Sequence, residues 1–161
     1  MNKRQTIAYV VCGFIGAGKT TFARKLENET GAIRITKDEW IIKIFVNKIT
    51  SDKNFGRYDR NITELATDMA FKILKSGKDV IIDEGYWVKS QRDEIKKKII
   101  NVGAKPIFYY VEYPVEKMRE RVVARSKNPP VDSFEINGYM FDKYLKYWEP
   151  PTKEEGMLSA F

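Results

Sequence analysis

Gly13 to Thr21 reads Gly-Phe-Ile-Gly-Ala-Gly-Lys-Thr-Thr, a glycine, four residues and then Gly-Lys-Thr. That spacing suits polyphosphate chemistry. Glycines let the backbone curl until successive N–H groups face one point, and a helix beginning at Gly18 adds its positive dipole end. Gly13, Gly16, Ala17, Gly18, Lys19, Thr20 and Thr21 are therefore the expected cradle for a triphosphate. Lys19 supplies a cation able to reach the β and γ phosphates, and the Thr20 hydroxyl is placed to ligate a bridging Mg²⁺.

Three further groups could complete such a site. Asp38 follows the short alternating stretch Ile33-Arg34-Ile35, and strands of an open α/β sheet point their carboxyl ends at the ligand crevice. It is the leading candidate to accept or orient the proton of an acceptor hydroxyl during phosphoryl transfer. It could equally cap the helix carrying Trp40, Ile41, Ile44 and Phe45. Asp83 ends the apolar run Val80-Ile81-Ile82, the form of a central parallel strand, and would act on Mg²⁺ directly or through a coordinated water, with Glu84 able to play a similar part. Arg121 and Arg125, four apart on one helix face, could clamp phosphates or stack on a base.

These residues need a frame. Ile7 to Cys12 is an apolar run of buried-strand type, Phe22, Ala23 and Leu26 mark one face of the next helix, and Thr30-Gly31 stops it. Thr50 to Asp59, polar and carrying Gly56, reads as a loop bordering the acceptor pocket, with Arg57 and Tyr58 as ordinary loop residues. A periodic helix follows from a capping-box-like start at Asn61 and Glu64 to Gly77. Ser90 and Asp93 start another, on which Arg92 opposes the helix dipole; a role towards an anion and a purely structural one stay equally open. Pro106 to Val111 is a fourth strand, and Pro114 opens the helix of Arg121 and Arg125. Ser126-Lys127-Asn128-Pro129-Pro130 breaks that helix, as suits a lid that closes over a nucleotide. An exposed helix whose Glu116 and Glu120 pair with their neighbours would carry the same charges. Met140, Phe141, Tyr144, Leu145 and Trp148 form a last amphipathic helix, and Gly156 to Phe161 could be a fifth, edge strand.

The 161 residues, 43% apolar and 32% charged, suit one soluble domain spanning 1–161. No apolar run reaches membrane length, and Lys3 and Arg4 precede the phosphate loop rather than a cleavage site, so a cytoplasmic protein without membrane contact is expected. Cys12 is the single cysteine, which excludes intrachain disulfides, and its position at the end of a predicted buried strand makes it a core residue rather than a reactive one. With no histidine in the chain, acid and base work falls to carboxylates, lysines or water. The net charge of +7 is concentrated between Lys89 and Lys127, where eleven basic residues face five acidic ones. That surplus could meet nucleic acid, a nucleotide triphosphate or only solvent, as for Lys96-Lys97-Lys98.

Taken together, Gly13 to Thr21, Lys-Asp-Glu-Trp at 37–40, Val-Ile-Ile-Asp-Glu-Gly-Tyr-Trp at 80–87, Arg-Val-Val-Ala-Arg at 121–125 and Trp-Glu-Pro-Pro at 148–151 resemble a family. It is that of small phosphate-loop kinases related to the polynucleotide kinase domain, chloramphenicol phosphotransferase and zeta toxins. The resemblance implies a P-loop NTPase fold, three-layer α/β/α with a parallel five-stranded sheet of adenylate-kinase type and a helical lid, and ATP with Mg²⁺ at the loop. It further implies that Asp38 is the acceptor-activating acid and that Arg121 and Arg125 are the lid arginines. Polynucleotide kinases carry an arginine three residues after the activating acid, where this chain has Ile41. The expectation is thus transfer of the γ-phosphate of Mg-ATP to a hydroxyl of a small molecule. A 5′-hydroxyl polynucleotide kinase and a toxin-like ATP-binding switch are the alternatives.

Overall fold

Alternation along the central strands decides the layers. In the computed structural model, which describes residues 4–45, 49–131 and 133–161, strand β1 (Ile7–Cys12) turns Ala8, Val10 and Cys12 to one side and Val11 to the other. Lys3, read with Arg4 as the lead into β1, lies outside the described residues. Strand β3 (Val80–Gly85) sends Val80 and Ile82 to the first side and Ile81 to the second. All are buried, so both faces of the sheet must be covered.

Helices do this in two layers. Helix α1 (Lys19–Thr30) covers one face with Phe22, Ala23 and Leu26. Helices α5 (Val115–Ser126) and α6 (Gly138–Leu145) join it there through Met118, Val122 and Phe141. Helices α3 (Phe55–Lys75) and α4 (Lys89–Asn101) cover the other face with Ala66, Ala70, Leu74, Ile95 and Ile99. Helix α2 (Lys37–Phe45) buries Ile41 against Ile62 of α3. The sheet runs β2 (Ile33–Ile35), β3, β1, β4 (Lys105–Tyr110), β5 (Leu158–Ser159), and every pairing is parallel. This is the expected α/β architecture, fifth strand included. Among the described residues no helix is long and apolar enough to cross a membrane.

The stop at Gly31 is as read: its φ is +68° and its N–H donates to Glu27 O at 2.9 Å. The start of α3 is not. The helix begins at Phe55, so Asn61 and Glu64 lie inside it and Arg57 and Tyr58 are helical. Long-range packing overrides the polar, glycine-bearing local sequence: the Tyr58 ring stacks on Phe45 at 4.7 Å and the Phe55 ring meets Phe134 edge-on at 5.7 Å. Helix α4 starts one residue before Ser90, and its first turn is closed by Val88 N–H donating to the Gln91 side chain at 3.4 Å. Trp148 lies beyond the end of α6, and the final strand keeps only Leu158 and Ser159.

Candidate active site

The phosphate-loop sequence leaves the middle of the sheet. Gly13 N–H donates to Gly85 O at 3.0 Å and Val111 N–H to Cys12 O at 2.8 Å, which ties the loop's root to the strands on either side. The loop then folds on itself, with Ala17 N–H donating to Phe14 O at 3.3 Å and Lys19 Nζ to the same carbonyl at 2.9 Å. Gly16, at φ +81°, runs so close to α5 that a Cβ would stand 2.8 Å from Met118 O. Gly18, at φ +102°, precedes α1 without any side-chain cap, so among the described residues the first N–H groups of that helix are uncapped and present the positive dipole end.

An apolar anchor holds this turn. Phe14 is 1% exposed, and its ring packs against Trp87, Phe141 and Trp148 at centroid distances of 5.0, 5.2 and 5.4 Å. Its partners come from three distant stretches, and the motif pattern gave no sign of it.

Helix α2 brings Asp38 to the same place. Asp38 is the second residue of the helix rather than its cap, and the joint before it is fixed by Arg34. That guanidinium reaches Glu27 at 3.1 Å, Glu39 at 3.0 Å and the Thr36 hydroxyl. Nothing in the local sequence signals this role of Arg34, because a single arginine in a short strand has no pattern. Next to Asp38, Lys37 Nζ donates to Asp59 at 2.8 Å and to the Thr63 hydroxyl at 3.0 Å.

Crowded carboxylates set the electrostatics. Burial pushes the Asp38 carboxyl up to about 6, against the pull of Lys37 and Lys19. Burial likewise pushes Glu84 up to about 7, with Asp38, Asp59 and Asp83 adding to the effect and Lys37 opposing it. Asp83, 3% exposed, is raised by burial and held back by the Lys19 charge and a hydrogen bond from Thr20. The Lys19 ammonium is lowered, first by burial, while Asp83 and Asp38 favour its charged form. Asp83 Oδ2 and Glu84 Oε1 are buried without a hydrogen-bond partner among the described residues. Such orphaned oxygens are costly unless something else occupies them.

The donor set fits Mg²⁺ held mostly by a nucleotide. Among the described residues no group of three or more His, Cys, Asp or Glu is arranged to hold a metal, whereas Mg²⁺ needs only one or two protein oxygens beside phosphates and water. The Thr20 hydroxyl and the Asp83 carboxylate line the cavity together and could supply those oxygens.

All of these groups line one cavity of about 1160 Å³. Its lining includes Gly16, Gly18, Lys19, Thr20 and Thr21 of the loop, the carboxylates Asp38, Asp83 and Glu84, and Arg121 and Arg125 of α5. Arg121 stacks over the Tyr113 ring at 3.7 Å and its Nη1 reaches Gly16 O at 3.4 Å. Helix α5 is braced by α6 through the bidentate pair of Arg119 with Asp142, both contacts 2.8 Å. Gly13 and Ala17 are buried beneath the loop and do not line the cavity.

Other candidates fall outside it. Arg92 is 2% exposed and spends its guanidinium on Glu155, at 2.7 and 2.9 Å, and on the carbonyls of Tyr86, Trp87 and Glu149. The anion-facing role is thereby excluded, since no N–H of the fork reaches the cavity. Arg57 and Tyr58 do not line it either. Lys96 and Lys97 are exposed on α4, and Cys12 is fully buried, with burial pushing its thiol up to about 12. A thiol so placed is inert.

The sequence model of the AAA domain family matches residues 9–151. The chain belongs to that family. As an AAA domain it shares its fold with solved structures of low identity. A chain of the Pnkp1/Rnl/Hen1 RNA repair complex superposes with a TM-score of 0.70 at 23% identity over 91% of this chain and 45% of that one. A gluconokinase from Sinorhizobium meliloti gives 0.61 at 18% over 99% and 83%. Kti12 from Chaetomium thermophilum, solved with ADP-AlF3, gives 0.63 at 20% over 91% and 82%. In a second structure of the Pnkp1/Rnl/Hen1 complex the chain spans only 39% of the protein it matches. No curated protein matches by sequence. The AAA domain described here therefore has a P-loop kinase-like fold.

Proposed function

We propose that this chain is an ATP-dependent phosphotransferase that moves the γ-phosphate of Mg-ATP to a hydroxyl of a small molecule, with residues 1–161 as one catalytic domain. The observation that carries the reading is the shared cavity: the phosphate loop and Asp38 line one space of about 1160 Å³, larger than the roughly 300–1,000 Å³ of a pocket for one ligand. There is room for a nucleotide and an acceptor together.

In this reading Gly16, Gly18, Lys19, Thr20 and Thr21 of the loop face the triphosphate while Gly13 and Ala17 shape the turn beneath it, and Lys19, Arg121 and Arg125 balance charge on the moving phosphoryl group. Thr20 and Asp83 would hold Mg²⁺, which when bound neutralises oxygens of the β and γ phosphates. Asp38 orients the acceptor hydroxyl and takes its proton. Its half-buried carboxyl, raised to about 6, is a better base at neutral pH than an ordinary aspartate and is still mostly ionised there.

A 5′-hydroxyl polynucleotide acceptor is the weaker reading. Ile41 is fully buried, so the position that carries an arginine in polynucleotide kinases offers no phosphate contact here. The test is transfer of labelled γ-phosphate from Mg-ATP into small hydroxyl compounds and, separately, 5′-hydroxyl oligonucleotides, with Asp38→Asn alongside. Asp38-dependent label in the small compounds supports the proposal. Label only in oligonucleotides, or none while ATP still binds, refutes it.

A further inference from the structure

The cavity does not end beside Asp38. A second cleft of about 390 Å³ between α3 and α4 adjoins it, the two sharing Thr63, Glu64, Thr67 and Lys98. Asp68 and Phe71 continue the cleft along α3.

Acceptors outnumber donors along it. Glu64 and Asp68 are exposed carboxylates one helical turn apart. The cation among the cleft's lining residues, Lys98, is engaged by Glu94 at 2.6 Å. Thr67 donates its hydroxyl proton to Thr63 O at 2.8 Å and keeps its lone pairs, while Thr63 donates to Asp59 O at 2.8 Å and already accepts from Lys37 Nζ at 3.0 Å. In the adjoining cavity Glu84 Oε1 is buried without a hydrogen-bond partner among the described residues. Carboxylate and hydroxyl acceptors in the cleft thus outnumber its donors, the Asn101 amide and the rest of the Lys98 ammonium, and a complementary ligand brings mainly O–H or N–H groups. An anionic ligand would meet like charge. Phe71, half-buried, offers an apolar face to the C–H side of a ring.

We propose that this cleft is the distal subsite for the phosphate acceptor and takes the second ring of a neutral or amine-bearing saccharide, the first ring lying at Asp38 and Glu84. The assignment rests on the phosphotransferase reading for the word acceptor, while the saccharide chemistry stands on the cleft itself.

Binding to the full chain, with ADP present, is measured by calorimetry for glucose, glucosamine, cellobiose, the β-1,4 glucosamine dimer and cellobionate. The neutral and amine-bearing dimers are expected to bind at least ~10-fold more tightly than their monomers, the scale of one well-made set of contacts, and cellobionate to show no gain. Thr67→Trp, which plugs the neck, removes the gain and leaves ADP affinity unchanged. Asp68→Lys, at an exposed position that folding tolerates, moves the gain from the glucosamine dimer to cellobionate. The proposal is overturned if no dimer outbinds its monomer, if the gain survives Thr67→Trp, or if Asp68→Lys leaves the preference as it was. Dimer binding with this pattern but no phosphoryl transfer to any saccharide would sink the phosphotransferase reading and keep the cleft. Transfer without a dimer gain would do the reverse.

Discussion

Arg92 and Glu155 form a buried bidentate ion pair, Nε to Oε2 at 2.7 Å and Nη2 to Oε1 at 2.9 Å, that joins α4 to the C-terminal tail. Their side chains are 2% and 8% exposed. Arg92 Nη1 holds the carbonyls of Tyr86, Trp87 and Glu149, and the Glu149 carboxylate in turn takes the Lys89 N–H at 2.8 Å. Tyr86 and Trp87 line the cavity, so the tail fixes one wall of the candidate site.

Removing one partner strands the other in the interior. Arg92→Leu is expected to cost roughly 3–5 kcal/mol, the usual penalty for breaking a buried pair, read as a lower denaturant midpoint at unchanged slope. Arg92→Lys should recover little, because an ammonium cannot reproduce the fork. The Arg92 hydrogen bonds hold the Glu155 carboxyl below the usual range, so this stability is present above the ordinary carboxylate value and is lost as pH falls below it.

The raised carboxyls act in a different pH window. Asp38 and Glu84, pushed by burial to about 6 and about 7, bind protons in the folded state that the unfolded chain has released. Their contribution is fully present below the ordinary carboxylate range and is lost as pH rises through 6 and 7. The ligand-free chain should therefore melt at lower temperature at pH 7.5 than at pH 5.5. The double variant Asp38→Asn, Glu84→Gln should flatten that slope, and an unchanged slope would show that other groups cause it.

Asp38→Asn keeps the shape of the side chain and removes its basicity. Mg-ATP affinity is expected to stay within a factor of about two while transfer falls by roughly 10²–10⁴, the range for a lost general base. Equal losses in binding and turnover would assign Asp38 to ground-state binding.

Two glycines of the loop should separate conformational strain from collision. Gly18→Ala meets no atom within 4 Å but keeps a φ of +102°, so its cost is the left-handed backbone, about 1–2 kcal/mol. Gly16→Ala bears the same kind of strain and sets a Cβ 2.8 Å from Met118 O, pushing the loop off α5. It should be the more damaging in thermal unfolding and in ATP titration alike.

Lys19→Met should weaken ATP binding by roughly 10- to 100-fold, the worth of a hydrogen bond to a charged group. It should also raise the melting temperature of the ligand-free chain or leave it unchanged, because the ammonium is penalised by its own burial. Fluorescence titration and a thermal melt on one preparation check both halves.

Local sequence was enough for the parts whose chemistry is local. The phosphate loop needs contiguous glycines before Lys19, and the alternation of Val10, Val11 and Cys12 needs only a two-faced strand, so loop, strands and layers were legible. Asp38 and Asp83 could be placed at the carboxyl edge because strand direction follows from a parallel sheet. Contacts over long separations were not legible. The early start of α3 depends on Phe45 and Phe134, and the seat of Phe14 depends on Trp87, Phe141 and Trp148. Arg92 could be read either way from its place in a first helical turn, until Glu155 closed on it. Sequence by itself determined which side chains could do chemistry and on which edge of the sheet they stand. Tertiary structure alone decided which of them share one cavity, how far burial shifts their protons, and where that cavity continues, because desolvation and shape arise only when distant segments pack together.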